Sequence, residues 1–211
     1  METFTTTRSK PQALTAQALR ELPDEQVKQA LSELAPNQVK ELQHDWKFWA
    51  RSEQIEPEGD WDVWLINAGR GFGKTRAGVE WVREQVKRGK KRIAAVAAIN
   101  SDIERVMVKG ESGFLSVCYE KDKTYKGTDI GYPEWSPTKR SLTWKNGAKV
   151  EFYSAEEPER LRGPQFEAAW CDELAAWNKD IDTWDMLQFC LRLGKHPRVC
   201  VTTTPKPTKL I

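Results

Sequence analysis

The sequence predicts an α/β domain on a mainly parallel sheet, and three observations lead there. Short apolar runs at residues 63–67, 92–98, 166–171 and 199–203 alternate with helical stretches, the pattern of strand–helix–strand units. A glycine-rich turn, Gly69 to Gly73, separates the first run from the first of those helices, the place where such folds bind ligands. The chain has 211 residues, enough for one sizeable core and at most an appendage.

Residues 13–20 and 24–34 are rich in Ala, Leu, Glu and Gln, with leucines at helical spacing. Pro23-Asp24-Glu25 and Pro36-Asn37 read as helix starts. Residues 38–51 carry Leu42, Trp46 and Trp49 at i, i+4 and i+7, one face of a further helix. Residues 1–50 are therefore expected to form an N-terminal helical segment capping the core, with a docking arm for a partner as the sharper reading; residues 51–211 form the core.

From Asp60 the elements alternate. After the strand at 63–67 a helix is expected at 75–88, on Ala77, Val79, Trp81, Val82 and Val86. A strand at 92–98 leads to a helix at 101–109, with Ser101 as N-cap and Glu104 in the capping-box position. Residues 142–144 and 150–153 flank Asn146-Gly147, which signals a type I′ hairpin. Residues 120–137, rich in Lys, Gly, Asp and Pro, read as a long loop, and 166–171 and 199–203 as two more buried strands.

Composition excludes several classes. With 33 Lys and Arg against 31 Asp and Glu the net charge is +2, so bulk charge gives no argument for nucleic acid. No run approaches the roughly 20 apolar residues of a membrane span, and the polar residues 1–10 lack a secretion signal. Cys118, Cys171, Cys190 and Cys200 form no C-x-x-C pair and no zinc spacing; an intracellular, reducing setting is expected. The 10 tryptophans have no explanation at this level beyond core and ligand packing.

The chemistry begins at Gly69-Arg70-Gly71-Phe72-Gly73-Lys74-Thr75. A strand leads in and a helix leads out, the context of a phosphate-binding loop. Glycines let backbone amides approach phosphate oxygens, and the helix start offers free N–H groups and a positive dipole end. Lys74 suits the β- and γ-phosphates and the Thr75 hydroxyl suits magnesium. The general pattern has glycine where this chain has Ala68. A glycine turn with a chance lysine is the bland alternative, and its placement argues against it.

Asp172 and Glu173 end the apolar run at 166–171. Asp172 would hold magnesium through water, the Walker B role, and Glu173 would orient and deprotonate the attacking water. Alone, the pair would be read as the N-cap of a helix starting near Leu174. Thr202, Thr203 and Thr204 end the last strand before Pro205, placed to sense a γ-phosphate; without the other motifs they would be an ordinary polar turn.

Together, Trp61 to Gly78, the segment Leu161-Arg162-Gly163-Pro164-Gln165-Phe166, the stretch through Trp177 and the threonine-rich strand end resemble the ATPase domain of the large terminase subunit of tailed bacteriophages. The resemblance spans roughly Arg51 to Lys206. It implies a RecA-like (ASCE-type) P-loop fold that uses ATP and Mg2+ and assembles as a homo-oligomeric ring on the portal protein of an empty capsid. There it would translocate double-stranded DNA, with a small terminase subunit as further partner, in the host cytoplasm.

Residue by residue, the resemblance makes Gln54 the adenine-recognition glutamine. Ala68, Gly69, Arg70, Gly71, Phe72, Gly73, Lys74 and Thr75 become the ATP-binding loop, with Arg70 contacting phosphates or switching with the nucleotide state. Arg162 becomes a finger that completes a neighbouring subunit's site, a role worth about 10³–10⁵ in rate; a lone monomer should then hydrolyse ATP slowly. Thr202, Thr203 and Thr204 become the coupling motif.

The family usually continues into a nuclease domain, and this chain stops at Ile211, so no nuclease activity is expected of it. Rival readings are a helicase-like nucleic-acid-stimulated ATPase, which needs a second RecA-like domain, and a nucleotide-gated assembly module with incidental hydrolysis. Two basic stretches, Lys87 to Arg92 and Lys121 to Lys126, are candidate DNA contacts; for the first a solvated helix end favouring cations is the preferred reading, and the second is ambiguous in the same way.

Overall fold

The structure is a computed structural model and describes residues 15–207. The chain divides into two compact units, Met1–Ser52 and Glu53–Ile211.

Among the described residues of the first unit four short helices follow one another: α1 (Ala16–Arg20), α2 (Asp24–Ser32), α3 (Pro36–Gln43) and α4 (Trp46–Trp49). Thr15 caps α1 by accepting from the Ala18 amide, and the Gln38 side chain accepts from the Ala35 amide at the start of α3. The expected single helix over 38–51 is in fact two. Asp45 interrupts it and caps α4 by accepting from the Lys47 amide at 3.0 Å; a good N-cap outweighs continued periodicity. The i, i+7 pair still meets, because the Trp49 indole donates to the Leu42 carbonyl at 2.8 Å. Ala13 and Leu14 of the first expected helix lie outside the described residues.

The second unit is a seven-stranded sheet. Its strands are β1 (Val63–Asn67), β2 (Arg92–Ala97), β3 (Glu134–Ser136), β4 (Ser141–Thr143), β5 (Lys149–Ser154), β6 (Ala168–Asp172) and β7 (Arg198–Thr203). The spatial order is β1-β7-β6-β2-β5-β4-β3. The first five are parallel; β4 and β3 add antiparallel pairs at the far edge. Strand β7 thus stands between β1 and β6.

Both faces of the central strands are covered, as parallel strands require. Ala94, Val96, Ala169, Cys171, Val199 and Val201 turn one way and pack with Leu187 and Cys190 of helix α8 (Asp180–Cys190). Their neighbours Ile93, Ala95, Trp170 and Cys200 turn the other way, toward helix α5 (Lys74–Lys87), against which Trp170 lies at Gly78. On that side Phe114 stacks edge-on with Trp144, Phe152 and Trp170, and Trp135 with Phe152. Part of the tryptophan count therefore builds one aromatic core.

Several expectations need correction. The helix expected at 101–109 is a single turn, α6 (Asn100–Asp102), running into a π-helical segment, Ile103–Val108. Its N-cap is Ile99, without a side-chain cap bond, so Ser101 and Glu104 form no capping box. The 120–137 loop ends in β3, a three-residue strand, and helix α7 (Phe114–Val117) precedes it. The hairpin at Asn146-Gly147 exists, but only Gly147 has positive φ, 81°. The Gly147 amide donates to the Trp144 carbonyl, a type I turn closed by a left-handed glycine rather than type I′.

The long loop is tied down by buried charge. Arg83 on α5 makes a two-pronged ion pair with Asp122 and a further one with Glu80 at 3.0 Å. Arg76 reaches Glu80 and Lys87 reaches Asp122.

Candidate active site

Strands β1, β6 and β7 all end at the same edge of the sheet, where Asn67 is registered with Thr203 and Asp172 with Thr202. The phosphate-loop candidate starts there: the Ala68 amide donates to the Thr203 carbonyl at 3.1 Å. Gly71 and Gly73 take φ of 82° and 85°, which favours glycine. A Cβ on Gly73 would sit 2.7 Å from Gln54 Nε2. Gln54 itself is buried and donates that amide to the Phe72 carbonyl at 2.7 Å; here it braces the loop.

Lys74 opens α5 and is buried. Its Nζ donates to the carbonyls of Ala68 at 3.0 Å and Gly69 at 3.3 Å, and lies 3.4 Å from Glu173 Oε1. Thr75 follows on the same helical turn, half-buried, and Arg70 is exposed. Anions are favoured at such a helix start.

Asp172 is the last residue of β6 and only 5% exposed. Burial pushes its carboxyl up to about 7; the nearby Glu173 and Asp102 charges add to that, while the Thr202 hydrogen bond and Lys74 oppose it. The Thr202 hydroxyl donates to Oδ1 at 2.8 Å.

Glu173 has φ of 48°, a left-handed conformation that costs a non-glycine residue on the order of 1–3 kcal/mol. The 3-10 turn that follows, Leu174–Ala176, receives no side-chain cap from it. The carboxylate instead accepts from the Thr204 hydroxyl and amide. Thr203 accepts from the Ala175 amide at 2.9 Å. Thr202 therefore holds the last residue of β6, while Thr203 and Thr204 hold two points on the segment that follows it.

The arrangement brings Gln54, the 68–75 loop, Asp172, Glu173 and the threonines together. Arg162 stands apart: it is exposed at the end of the 3-10 turn Pro158–Leu161 and pairs with Glu159 at 2.6 Å. Sequence reasoning missed Trp170, whose indole donates to Thr202 at 2.8 Å; its place two residues before Asp172 on a strand was the available signal. The basic run at the end of α5 is largely committed within the molecule. Lys87 pairs with Asp122, Arg88 with Glu56 and Glu84, Lys90 donates to the Glu167 carbonyl and Lys91 to that of Asn146. Lys121, Lys123 and Lys126 are exposed. Among the described residues no helix is long and apolar enough to cross a membrane.

No curated protein matches the sequence. Among solved structures, the large terminase of a thermophilic bacteriophage in complex with ADP is similar at 12% identity and TM-score 0.51, over 67% of this chain and 33% of that one. The chain thus spans about a third of that relative's length. The large terminase ATPase domain of Thermus phage P74-26 is similar at 19% identity and TM-score 0.52, over 81% of this chain and 70% of that one. At such identities the likeness speaks for the fold: a RecA-like sheet of the terminase ATPase type. A family model described as "Terminase large subunit, T4likevirus-type, N-terminal" matches residues 65–211. That match takes in the phosphate loop, the acid pair and the threonine-rich strand end, and covers well over half of the sequence, so the chain belongs to the terminase large subunit family as its N-terminal region.

Proposed function

We propose that this chain hydrolyses ATP with magnesium and that the hydrolysis drives double-stranded DNA into a viral procapsid. One observation carries the chemistry: the Lys74 ammonium and the Glu173 carboxylate lie 3.4 Å apart, although they come from elements separated by β7. Family membership and the ADP bound to the first of the two relatives support the nucleotide.

The residues suit both groups. The 68–75 loop has left-handed glycines and no room for a side chain at Gly73, as close approach of a phosphate demands. Thr75 and Asp172 offer a hydroxyl and a carboxylate, the hard oxygen donors magnesium takes. Asp172, pushed to about 7 by burial, is a carboxylate that gains from a cation beside it. When bound, magnesium would offset charge on the β- and γ-phosphate oxygens.

Within that frame Lys74 leaves its own loop's carbonyls for phosphate oxygens, which compete with Glu173 for the ammonium. Glu173, released, orients a water and takes its proton. Gln54 reads adenine or braces the loop that holds the phosphates, and Arg70 meets phosphate from the exposed side. Arg162, exposed and paired with Glu159, serves a neighbouring copy in a ring on the portal protein, and Thr202, Thr203 and Thr204 transmit the state of the site. Residues 1–50 form the helical segment and 51–211 the motor core; the small terminase subunit is a partner of the assembled motor in the host cytoplasm.

The test is ATP turnover by the purified chain against its own concentration, with and without double-stranded DNA. A rate per subunit that rises with concentration, and is lost in Arg162→Ala, is expected for a site completed between copies. Glu173→Ala should abolish turnover and spare ATP binding; unchanged turnover in that variant would overturn the assignment.

A further inference from the structure

Trp170, Thr202 and Asp172 form a buried chain of hydrogen bonds whose direction is fixed by chemistry. An indole N–H only donates, so Trp170 Nε1 occupies a lone pair on Thr202 Oγ1 at 2.8 Å. The one hydroxyl proton of Thr202 then has two acceptors in reach, Asp172 Oδ1 at 2.8 Å and the Cys171 carbonyl at 3.3 Å. The shorter contact to the carboxylate takes it. Trp170 and Thr202 are wholly buried, so water does not compete for either bond.

The indole is itself locked. A Cβ at Gly78 would fall 2.2 Å from Trp170 Cε2 and 2.3 Å from Nε1, so the ring lies flush on the backbone of the helix that begins at Lys74. Phe114 closes another side, edge-on at 6.0 Å between centroids. The same side chain therefore sets the spacing between α5 and β6 and fixes the proton on Thr202.

We infer that Trp170 is a positioning residue for the metal site: through Thr202 it commits Asp172 Oδ1 as a hydrogen-bond acceptor, which leaves the carboxylate oriented to present its other oxygen to the cation. Among the described residues no donor is found on Oδ2. This rests on the magnesium assignment above, and Trp170 needs no contact with nucleotide to act. Thr202, which bonds the metal ligand itself, is a partner of the kind worth about 10–100-fold in metal affinity, and Trp170 acts through it.

The test is Mn2+ binding to the full chain in the presence of ADP, read by electron paramagnetic resonance, beside ADP binding without metal. Thr202→Val keeps the shape and removes the hydroxyl; Trp170→Phe keeps the ring and removes the donor. Both are expected to weaken Mn2+ by about tenfold or more with metal-free ADP affinity unmoved, and Thr202→Ser should restore it. If Trp170→Phe does not fold, Thr202→Val with its serine rescue decides alone. Wild-type Mn2+ affinity in Thr202→Val, or equal losses of metal and metal-free ADP binding, would overturn the inference and leave the site assignment standing. A wild-type chain that binds no Mn2+ with ADP would remove both.

Discussion

Thr204 holds both carboxylate oxygens of Glu173, its hydroxyl donating to Oε1 and its amide to Oε2, each at 3.1 Å. Lys74 approaches Oε1 as well, at 3.4 Å. The proposed base is thus shared between the phosphate loop and the end of β7, and a change at either side is felt by the other. Hydrogen bonds to a charged group are worth about 1.5–3 kcal/mol, enough to hold Glu173 in its left-handed backbone conformation.

Thr204→Val should keep the amide bond and lose the hydroxyl one. Turnover is expected to fall by about tenfold, the rate equivalent of roughly 1.4 kcal/mol, with ATP affinity unchanged and Thr204→Ser restoring it. Steady-state kinetics beside equilibrium nucleotide binding make the check; a drop in affinity alone would argue against a role in holding Glu173.

Asp172 has a folded pKa of about 7, above its ordinary 3.8. The fold therefore favours its protonated form, so this group's contribution to stability is complete below 3.8 and is lost as pH rises through about 7. Asp172→Asn keeps an acceptor for Thr202 and removes the charge. Without nucleotide or metal its melting temperature should exceed the parent's by on the order of 5 °C above neutral pH, and the gap should close toward acid. Thermal melts across pH measure this.

Arg83 is expected to matter for stability alone. Arg83→Met would leave Glu80 and Asp122 buried without their shared partner, at about 3–5 kcal/mol, read as a lower urea midpoint. Burial would raise the Asp122 carboxyl, but Arg83 first and then Lys87 outweigh it and hold it below the ordinary 3.8. That stability is present above pH 3.8 and lost as pH falls through the lowered value. Asp122→Asn should flatten this acid limb of the pH profile.

Gly78→Ala should cost about 1–3 kcal/mol by overpacking, since its Cβ would meet the Trp170 indole at 2.2 Å. Combined with Trp170→Phe, part of that loss should return, because the smaller ring frees space at Cε2. Additive losses in chemical denaturation would mean that the helix, not the indole, resists the methyl.

The legible parts of this molecule were those carried by local sequence. The glycine spacing before Lys74 and the apolar run ending at Asp172 each place a side chain relative to its own strand, and strand ends in a parallel sheet gather at one edge. What escaped depends on distant partners or on brief elements. Arg83 meets Asp122 across 39 residues, and no periodicity on α5 announces it. Strand β3 has three residues inside a stretch whose prolines and glycines read as loop. The helix over 38–51 looked continuous because its apolar spacing passes through Asp45, whose side chain prefers the Lys47 amide. Trp170 counted as core by composition, and its single polar atom gives it a second task.

The position of β7 also works as a gauge. With one strand between them, the ends of β1 and β6 stand two inter-strand steps apart, roughly 9–10 Å. Were the two strands direct neighbours, that width would be halved, and the mouth between Ala68 and Asp172 would be too narrow for a chain of phosphates and a hydrated ion. The strand that sets the width of this mouth runs, one residue past its end at Thr203, into Thr204, so the spacer between the two halves of the site and the residue that holds Glu173 belong to one stretch of chain.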